Sequence, residues 1–399
     1  MKTGKNCVLS INGGSSSIKF ALYNIEESLA QLFYGQLENI GEKNTKLSFS
    51  DTVTNQKNSI NIKAVDHSEA VIFLIEWLEK QEDFSSIKAI GHRIVHGMKH
   101  TLPERVTPEL IDELKKISAY DPDHLPEEIK LVETFRKHYP ALVQIACFDT
   151  SFHTTMPVKA KLLTIPRKYY DMGIQRYGFH GLSYAYLMDE LDHLAGHEAA
   201  KGKVILAHLG NGASLAAVKD GKSMDTSMGF TPTSGLPMGT RTGDLDPGVA
   251  WYLIKNEKLS PHQFNHLINH ESGLLGISET SSDMRELLKS QKSDTRAAEA
   301  IELFCYQAKK WIGSFAAVLG GIDTVVFSGG IGENAPEIRS YICQGLQFLG
   351  IELNETGNTR NEAIISTDKS RVCVRVVKTN EELMIARLVC KILNYRIIN

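Results

Sequence analysis

The chain has 399 residues, with 44 Lys and Arg against 47 Asp and Glu and a formal net charge of −3. This length predicts two or three domains rather than one small module. A hydrophobic fraction of 42% excludes general disorder, and the balanced charge argues against a nucleic-acid or membrane surface.

The N-terminal region contains only a short apolar segment, 8–11, which the glycines at 13 and 14 interrupt. It is too short for a signal-peptide core, and no apolar stretch approaches the ~20 residues that span a bilayer. The cysteines lie far apart without a C-x-x-C pair, which is typical of reduced structural thiols. We therefore expect a cytoplasmic protein. The cysteines are Cys7, Cys147, Cys305, Cys343, Cys373 and Cys390.

The first predicted element is a β-hairpin whose turn is rich in glycine and serine. The strand 8–11 leads into the turn 12–17, after which Ile18, Phe20 and Leu22 alternate with other residues at the period of a strand. Backbone N–H groups, serine hydroxyls and Lys19 suit phosphate binding at such a turn. A Walker A loop is excluded at 221–223, because Ala216 stands where its first glycine is required.

Three further segments each contain a polar residue that has both a structural and a functional interpretation. His92 and His96 have the spacing of a metal pair but lack the Glu of a zincin motif, whereas Arg93 beside them is costly to bury without an anion. Asp149 follows an apolar run and is either a helix N-cap or a catalytic group. His180, between Phe and Gly, is either structural or catalytic.

A second hairpin repeats the design of the first about half a chain later. The apolar strand 203–207 runs into the turn 208–214, which is rich in Gly, Asn and Ser, and a second strand follows. The repetition predicts a two-domain architecture with one phosphate-facing hairpin in each half. Arg241 lies in a further glycine-rich loop, and together with Arg93 it would clamp a carboxylate and a phosphoryl group.

The last third of the chain predicts a long helix, a strand and a terminal helix. Apolar residues recur at helical spacing over 297–319, and the strand 324–328 then ends in the glycine-rich segment 329–334. The sequence 379–382 has capping-box form with Thr379 as the N-cap. A purely structural interpretation of Glu381 is that it caps the first turn of this helix.

Taken together, these segments closely resemble the acetate kinase family, within the wider superfamily of sugar kinases, Hsp70 chaperones and actin. The matching segments run in the family's order from residue 12 to residue 382 and cover nearly the whole chain. They are 12–19, 91–97, 148–157, 176–181, 208–212, 238–244, 329–334 and 379–382.

The resemblance implies an α/β fold of two actin-like (ribonuclease H-like) domains with a nucleotide cleft between them. The first domain would comprise 1–150 plus 384–399, because the C-terminal helix returns to it, and the second would comprise 151–383. The family also implies a homodimer.

The implied reaction is phosphoryl transfer between ATP and a short-chain carboxylate, giving an acyl phosphate and ADP. The resemblance assigns Asn12 and Glu381 to Mg²⁺, with Mn²⁺ as an alternative ion. It assigns catalytic roles to Arg93, Asp149, His180 and Arg241, and substrate contacts to Arg93, Val95, Phe179 and Pro232. It assigns ATP binding to Ser15, Ser16, Ser17, Lys19, His208, Leu209, Gly210, Asn211, Gly212, Asp283, Met284, Arg285, Gly330, Ile331, Gly332, Glu333, Asn334 and Ala335.

Two departures from the family pattern bear on the substrate and nucleotide sites. Asp123 stands where an apolar residue of the substrate wall is expected, so we expect Leu125 or another side chain to fill that space. Glu279 stands where glycine is expected.

Competing functions remain open at this point. Propionate kinase is separated from acetate kinase only by pocket depth, and one methylene is worth about 1–3 kcal/mol of discrimination. An ATP-driven binding protein of the actin or Hsp70 kind shares the implied fold but would need a partner-binding region. A sugar kinase would need an Asp base facing a hydroxyl and has little use for two buried arginines.

Overall fold

The computed structural model describes residues 6–14, 17–41, 44–52, 54–64 and 66–396. They form two compact units, the first from the described residues of 1–151 and 380–399 and the second from 152–379. The second crossing lies four residues before the predicted one, because the C-terminal helix (Glu381–Leu393) belongs to the first unit together with its N-cap.

The first unit is built on a mixed eight-stranded sheet in the order β5-β4-β3-β2-β1-β6-β8-β7. The predicted first hairpin is confirmed, since β1 and β2 pair antiparallel from Gly13 opposite Ile18 outward. The strands are β1 (Cys7–Gly13), β2 (Ile18–Asn24), β3 (Ala30–Glu38), β4 (Lys46–Asp51), β5 (Gln56–Asn61), β6 (Ile87–Ile94), β7 (Glu104–Arg105) and β8 (Val143–Phe148). The helices are α1 (His67–Glu79), α2 (Pro108–Ile117) and α3 (Leu125–His138).

Helices cover both faces of this sheet. Ile90 on β6 joins an apolar cluster with residues of α1 and α3, whereas the next residue, Gly91, points to the opposite face because side chains alternate along a strand. A methyl group at Gly91 would lie 2.4 Å from Ile385 and 2.6 Å from Val389 of the C-terminal helix. Glycine is required there because the helix packs so close to the strand.

The C-terminal helix begins one residue later than predicted. Asn380, not Thr379, is the N-cap, and its side chain accepts a hydrogen bond from the backbone of Leu383. Thr379 belongs to the second unit, where its hydroxyl lies 2.8 Å from that of Ser183. That contact directs its side chain away from the helix, and Asn380 takes the capping position.

The second unit is built on a five-stranded sheet in the order β11-β10-β9-β12-β13. Its strands are β9 (Lys203–Leu209), β10 (Ala213–Lys219), β11 (Lys222–Thr226), β12 (Thr324–Ser328) and β13 (Cys373–Val376). The helices of this unit are α4 (Val158–Lys161), α5 (Arg167–Asp171), α6 (Gly181–Ala195), α7 (His197–Lys201), α8 (Pro247–Asn256), α9 (Pro261–His270), α10 (Gly273–Ser278), α11 (Met284–Ser290), α12 (Thr295–Leu319), α13 (Gly329–Asn334), α14 (Pro336–Cys343) and α15 (Glu355–Thr359). Short 3₁₀ helices occur at Phe84–Ser86, Ser118–Tyr120, Ser151–Thr155 and Gln347–Leu349.

The predicted long helix is confirmed as α12, which Asp294 caps at its N-terminus and Gly320 ends in a left-handed conformation. Its inward residues, including Phe304, Ile312 and Phe315, are fully buried. Although α12 has 25 residues, no helix in the described part of the chain is apolar enough over a sufficient length to cross a membrane.

The same five-strand arrangement occurs in both units. In the first, the order β3-β2-β1-β6-β8 combines an antiparallel hairpin with two parallel neighbours, and β11-β10-β9-β12-β13 repeats it in the second. The duplicated architecture that the two hairpins predict is therefore confirmed. In each unit the hairpin turn lies at the end of the central strand, next to the end of its parallel neighbour.

Candidate active site

Asn12 brings two carboxylates together at the end of β1. Its Nδ2 donates to Oε2 of Glu381 at 2.8 Å and lies 3.3 Å from Oε1 of Glu382, and in the hairpin it pairs with Lys19. Burial raises the pKa of the Glu382 carboxyl, with Lys19 acting in the opposite direction. A cation at this corner would offset the concentrated negative charge.

This donor set fits Mg²⁺, which prefers oxygen ligands and usually keeps several from water and substrate phosphates. Asn12 offers an amide oxygen and Glu381 a carboxylate. Within the described residues, no group of three or more Asp, Glu, His or Cys side chains is arranged to hold a metal alone. Asn12 and Glu381 would supply two of the ion's ligands, and water and phosphate oxygens the others.

Arg93 is held between two buried carboxylates. Its Nη1 donates to Oε1 of Glu128 at 3.0 Å and its Nη2 donates to Oδ2 of Asp149 at 3.1 Å. Burial opposes the charge of Arg93, but Asp149, Glu128 and Glu381 outweigh it and raise the pKa of the guanidinium above its usual value. The arginine is therefore permanently charged and fixed in direction. Asp149 directly follows β8 and is fully buried, and its carboxylate accepts from Arg93.

Val95 follows β6 directly and is 1% exposed. Its backbone N–H donates to Oε2 of Glu128 at 2.7 Å. One buried glutamate thus fixes both the predicted anion-binding arginine and the neighbouring apolar residue.

The turn of the first hairpin is described only in part. Ser15 and Ser16, which the sequence assigns to phosphate binding, lie outside the described residues. The backbone of Gly14 donates to the carbonyl of Ser17 at 2.8 Å, and Nε2 of His67 lies 3.3 Å from the carbonyl of Gly14. The ends of the turn are thus fixed by hydrogen bonds on either side.

In the second unit, His180 occupies a strained backbone position with φ of 58° at the start of α6. Such a left-handed conformation is unfavourable for a residue with a side chain and is often found at functional sites. Nδ1 lies 2.8 Å from the hydroxyl of Ser214, and the ring stacks on His208 with centroids 4.3 Å apart. Nδ1 of His208 lies 2.8 Å from the hydroxyl of Ser183, which fixes the position of the His208 ring.

Arg241 and His180 converge on the turn between β9 and β10. A methyl group at Gly212 would lie 3.3 Å from Nε2 of His180 and 3.8 Å from Nη1 of Arg241. Nη1 of Arg241 also donates to the carbonyl of Pro232 at 3.2 Å. Pro232 and Phe179 are both buried.

A cavity of about 670 Å³ opens beside the same turn. Nine of the residues predicted to bind ATP line it, together with Ser282, Leu288 and Glu337. The nine are Gly210, Asn211, Asp283, Met284, Arg285, Gly330, Ile331, Asn334 and Ala335. Apolar side chains such as Met284 and Ile331 alternate there with polar groups, as in most small-molecule sites.

Other predicted ATP-binding residues of this unit are placed differently. Leu209 and Gly332 are buried. Oε1 of Glu333 accepts hydrogen bonds from the backbones of Gly329 at 3.0 Å and Thr379 at 3.1 Å. Glu333 therefore fixes the backbone of Gly329, directly before the cavity residue Gly330.

Sequence reasoning missed Glu128, Glu382 and the serines that orient the two histidines. A signal for Glu128 exists, since it lies on the apolar face of α3 with Leu125, Leu131 and Val132. An acid at such a position is expected to have a buried partner. The partner itself lies 35 residues away along the chain.

Asp123 and Glu279, the two residues that depart from the family pattern, lie in different surroundings. Leu125 is fully buried at the start of α3, whereas Asp123 is partly exposed. Glu279 ends α10 in a left-handed conformation with φ of 55°, and its carboxylate pairs with Arg296. A glycine would adopt this conformation without strain.

The fold and the site define an α/β protein built from two actin-like domains. The chain belongs to the Acetokinase family, whose model matches residues 7–387. An acetate kinase of Methylocella silvestris is 42% identical over 394 residues, with 96% of each chain covered. A propionate kinase of Citrobacter rodentium is 41% identical over 391 residues, again with 96% of each covered. The crystal structure of a propionate kinase from Francisella tularensis has a TM-score of 0.89 at 37% identity, covering 96% of this chain and 98% of that one.

Proposed function

We propose that this protein is an ATP-dependent acetate kinase, which reversibly transfers the γ-phosphoryl group of ATP to acetate and yields acetyl phosphate and ADP. One observation supports this reaction in addition to the family membership. The turn 210–212 borders the cavity on one side and meets His180 and Arg241 on the other. A nucleotide in that cavity would direct its phosphates toward two groups suited to stabilise negative charge.

The acceptor needs no general base. A carboxylate with a pKa below about 5 is ionised at neutral pH, so its oxygen attacks the γ-phosphorus directly. The bond to the β–γ bridging oxygen breaks, and ADP leaves with that electron pair. Asp149 therefore acts by fixing Arg93 rather than by removing a proton.

The protein lowers the barrier by position and electrostatics, because both reactants are anions. Arg93 would hold the acceptor's carboxylate, and Arg241 and His180 would stabilise the phosphoryl group in transfer. Lys19 would neutralise phosphate charge. A bound Mg²⁺ supplies further neutralisation of the phosphates, and Asn12 and Glu381 would hold it.

We propose that Val95, Phe179 and Pro232 contact the alkyl group of the acceptor and so determine which chain length fits. Propionate is the alternative acceptor, because relatives of both names match at nearly equal identity. Since one methylene is worth only about 1–3 kcal/mol, a preference of about 10- to 200-fold is the range to expect.

The decisive experiment incubates the purified protein with Mg-ATP and acetate, propionate or butyrate, and traps acyl phosphate with hydroxylamine. We expect acetate to give the highest kcat/KM. A higher value with propionate would assign the alternative function, and no hydroxamate with any acid would refute carboxylate phosphorylation.

We also propose a homodimer formed through the second unit. No residue of α8 is buried within the chain, and Trp251 and Tyr252 are 65% and 55% exposed. Adjacent exposed aromatic residues are typical of a protein interface. Sedimentation of Trp251→Glu, compared with the unchanged protein, tests whether a second copy covers them.

A cytoplasmic location is proposed from the thiols. All six cysteines are free and five of them are buried, as expected in a reducing compartment.

A further inference from the structure

Glu128 is a buried acid that the proposed reaction does not use. It is 1% exposed on α3, and each of its oxygens has a separate partner. Oε1 accepts from Arg93 at 3.0 Å, and Oε2 accepts from the backbone of Val95 at 2.7 Å. These are the residues proposed to contact the acceptor's carboxylate and its alkyl group.

The charge around Arg93 is already compensated before an acceptor arrives. Asp149 and Glu128 both bond to this guanidinium. Asp121, which is 4% exposed and lies 2.9 Å from Nδ1 of His124, adds a third acid near Glu128. An acceptor anion would therefore meet an arginine shared by two carboxylates. A second acid is unfavourable for binding an anion, and burying it contributes little net stability.

We propose that Glu128 is a positioning residue that sets the enzyme's affinity for the carboxylate acceptor, holding Arg93 and Val95 in place and opposing the acceptor's negative charge whenever it is itself ionised. This inference rests on the proposed function. It adds a residue that makes acceptor binding, but not nucleotide binding, depend on pH.

The surroundings of Glu128 raise the pKa of its carboxyl to about 8, so the group loses its proton near neutral pH. Burial raises the pKa of its carboxyl, while Arg93 and the Val95 amide act in the opposite direction and Asp121 and Asp149 reinforce the increase. As the pH rises and Glu128 loses its proton, the negative charge beside Arg93 grows. The acceptor is ionised throughout this range, so its own titration does not contribute.

The test compares the unchanged enzyme with Glu128→Gln between pH 6.5 and 8.5. Glutamine retains an oxygen for the Val95 amide and carries no charge, but its NH₂ group then faces Nη1 of Arg93 and cannot accept from it. The loss of the pH slope of KM, rather than the level of KM alone, therefore reports the charge of Glu128. We expect the KM for acetate of the unchanged enzyme to rise about 10-fold across this range, with the KM for Mg-ATP nearly constant. In Glu128→Gln the KM for acetate should be flat, and about 10-fold below that of the unchanged enzyme at pH 8.5.

Glu133→Gln is the matched control, since Glu133 lies on the same helix but pairs with Lys115 at the surface. It should leave both profiles unchanged. A purely structural role for Glu128 predicts a lower melting temperature and kcat with the same slope of KM against pH, and that result would overturn the proposal.

The profile of the unchanged enzyme is informative even if Glu128→Gln does not fold. A KM for acetate that stays flat with pH in an active enzyme refutes the role of Glu128 and leaves the proposed function intact. Absence of acyl phosphate with every acid refutes the proposed function and this inference together.

Discussion

The two units share one five-strand frame but differ at the end of the strand beside each hairpin. In the first unit β6 carries His92, a buried ring, and Arg93, a charged side chain that is 15% exposed. In the second unit β12 is buried throughout, and a glycine pair at 329–330 follows it. The end of the strand thus carries a charged side chain in the first unit and is followed directly by glycines in the second.

This difference separates two tasks that phosphoryl transfer requires. A charged strand end suits a small anion, which has little surface to recognise except its charge. A glycine-rich strand end leaves space for a larger ligand, and in this chain it borders the 670 Å³ cavity. The two units therefore have the same five-strand frame but differ in the chemistry of their strand ends.

The largest expected effect comes from removing the guanidinium in either unit. Arg241→Ala should lower kcat by about 10³-fold or more, because an arginine that stabilises a transferring phosphoryl group is worth that much. Arg93→Ala should lower kcat/KM for acetate by orders of magnitude, because it removes the positive charge proposed to hold the acceptor's carboxylate. Hydroxamate formation measures the loss, and circular dichroism should show an unchanged fold. Arg360→Ala, at an exposed arginine, is the control. Near-normal turnover in either variant would exclude the two-arginine clamp.

The second prediction fills the open backbone of the second unit. Gly330 lines the cavity, and a methyl group added there would have no atom within 4 Å. Gly330→Val should therefore fold but raise the KM for Mg-ATP about 10-fold or more by occupying nucleotide space, with little change in the KM for acetate. Gly313→Ala, also in open space but on α12, is the matched control. Equal effects on both KM values would argue that the cavity does not serve the nucleotide alone.

The third prediction uses the buried ring of the first unit. Burial lowers the pKa of His92 to about 4, against 6.5 for an exposed histidine, with Gln144 acting in the opposite direction. Below pH 6.5 the unfolded chain binds a proton that the folded unit does not, so stability present above pH 6.5 is lost as the pH falls toward 4. This linkage amounts to about 2 kcal/mol between pH 7.5 and pH 5.

Urea unfolding of the unchanged protein and of His92→Gln at these two pH values measures that contribution. The variant should lose less stability on acidification, because glutamine does not titrate. Identical losses in both proteins would show that other groups cause the acid sensitivity.

The smallest effect is expected at Glu279. Glu279→Gly should stabilise the second unit by about 1 kcal/mol, because glycine adopts the left-handed conformation without strain and the exposed pair with Arg296 is worth only a few tenths. Glu279→Ala is the matched control, since it loses the pair but keeps the strain and should be destabilising. Thermal unfolding distinguishes the two, and a lower melting temperature for Glu279→Gly would contradict the strain argument.

Elements with strong local patterns could be predicted from the sequence. The two hairpins, α12 and β12 follow from apolar periodicity and turn residues, because each pattern lies within about 25 residues. Local patterns could not predict that the cavity residues lie together, because the segments around Gly210, Asp283 and Gly330 are far apart in the chain. That prediction depended on the resemblance to the family.

Local patterns did not determine features that depend on tertiary partners. Thr379 and Asn380 are both good N-caps, and a contact of Thr379 with Ser183 separates them. The role of Glu128 depends on two partners on a different element. Such pairings arise only when the sheet and helices are assembled, so a helix pattern alone does not reveal them.

The C-terminal helix has a consequence for the order of events during translation. The partner of Asn12, Glu381, lies 369 residues further along the chain. At about 5–20 residues per second, a ribosome needs about 20–70 seconds to connect the two. Nearly all of the second unit is synthesised before the helix that packs on Gly91. During that interval the sheet face around Gly91 lacks Ile385 and Val389, the apolar side chains that cover it in the finished protein.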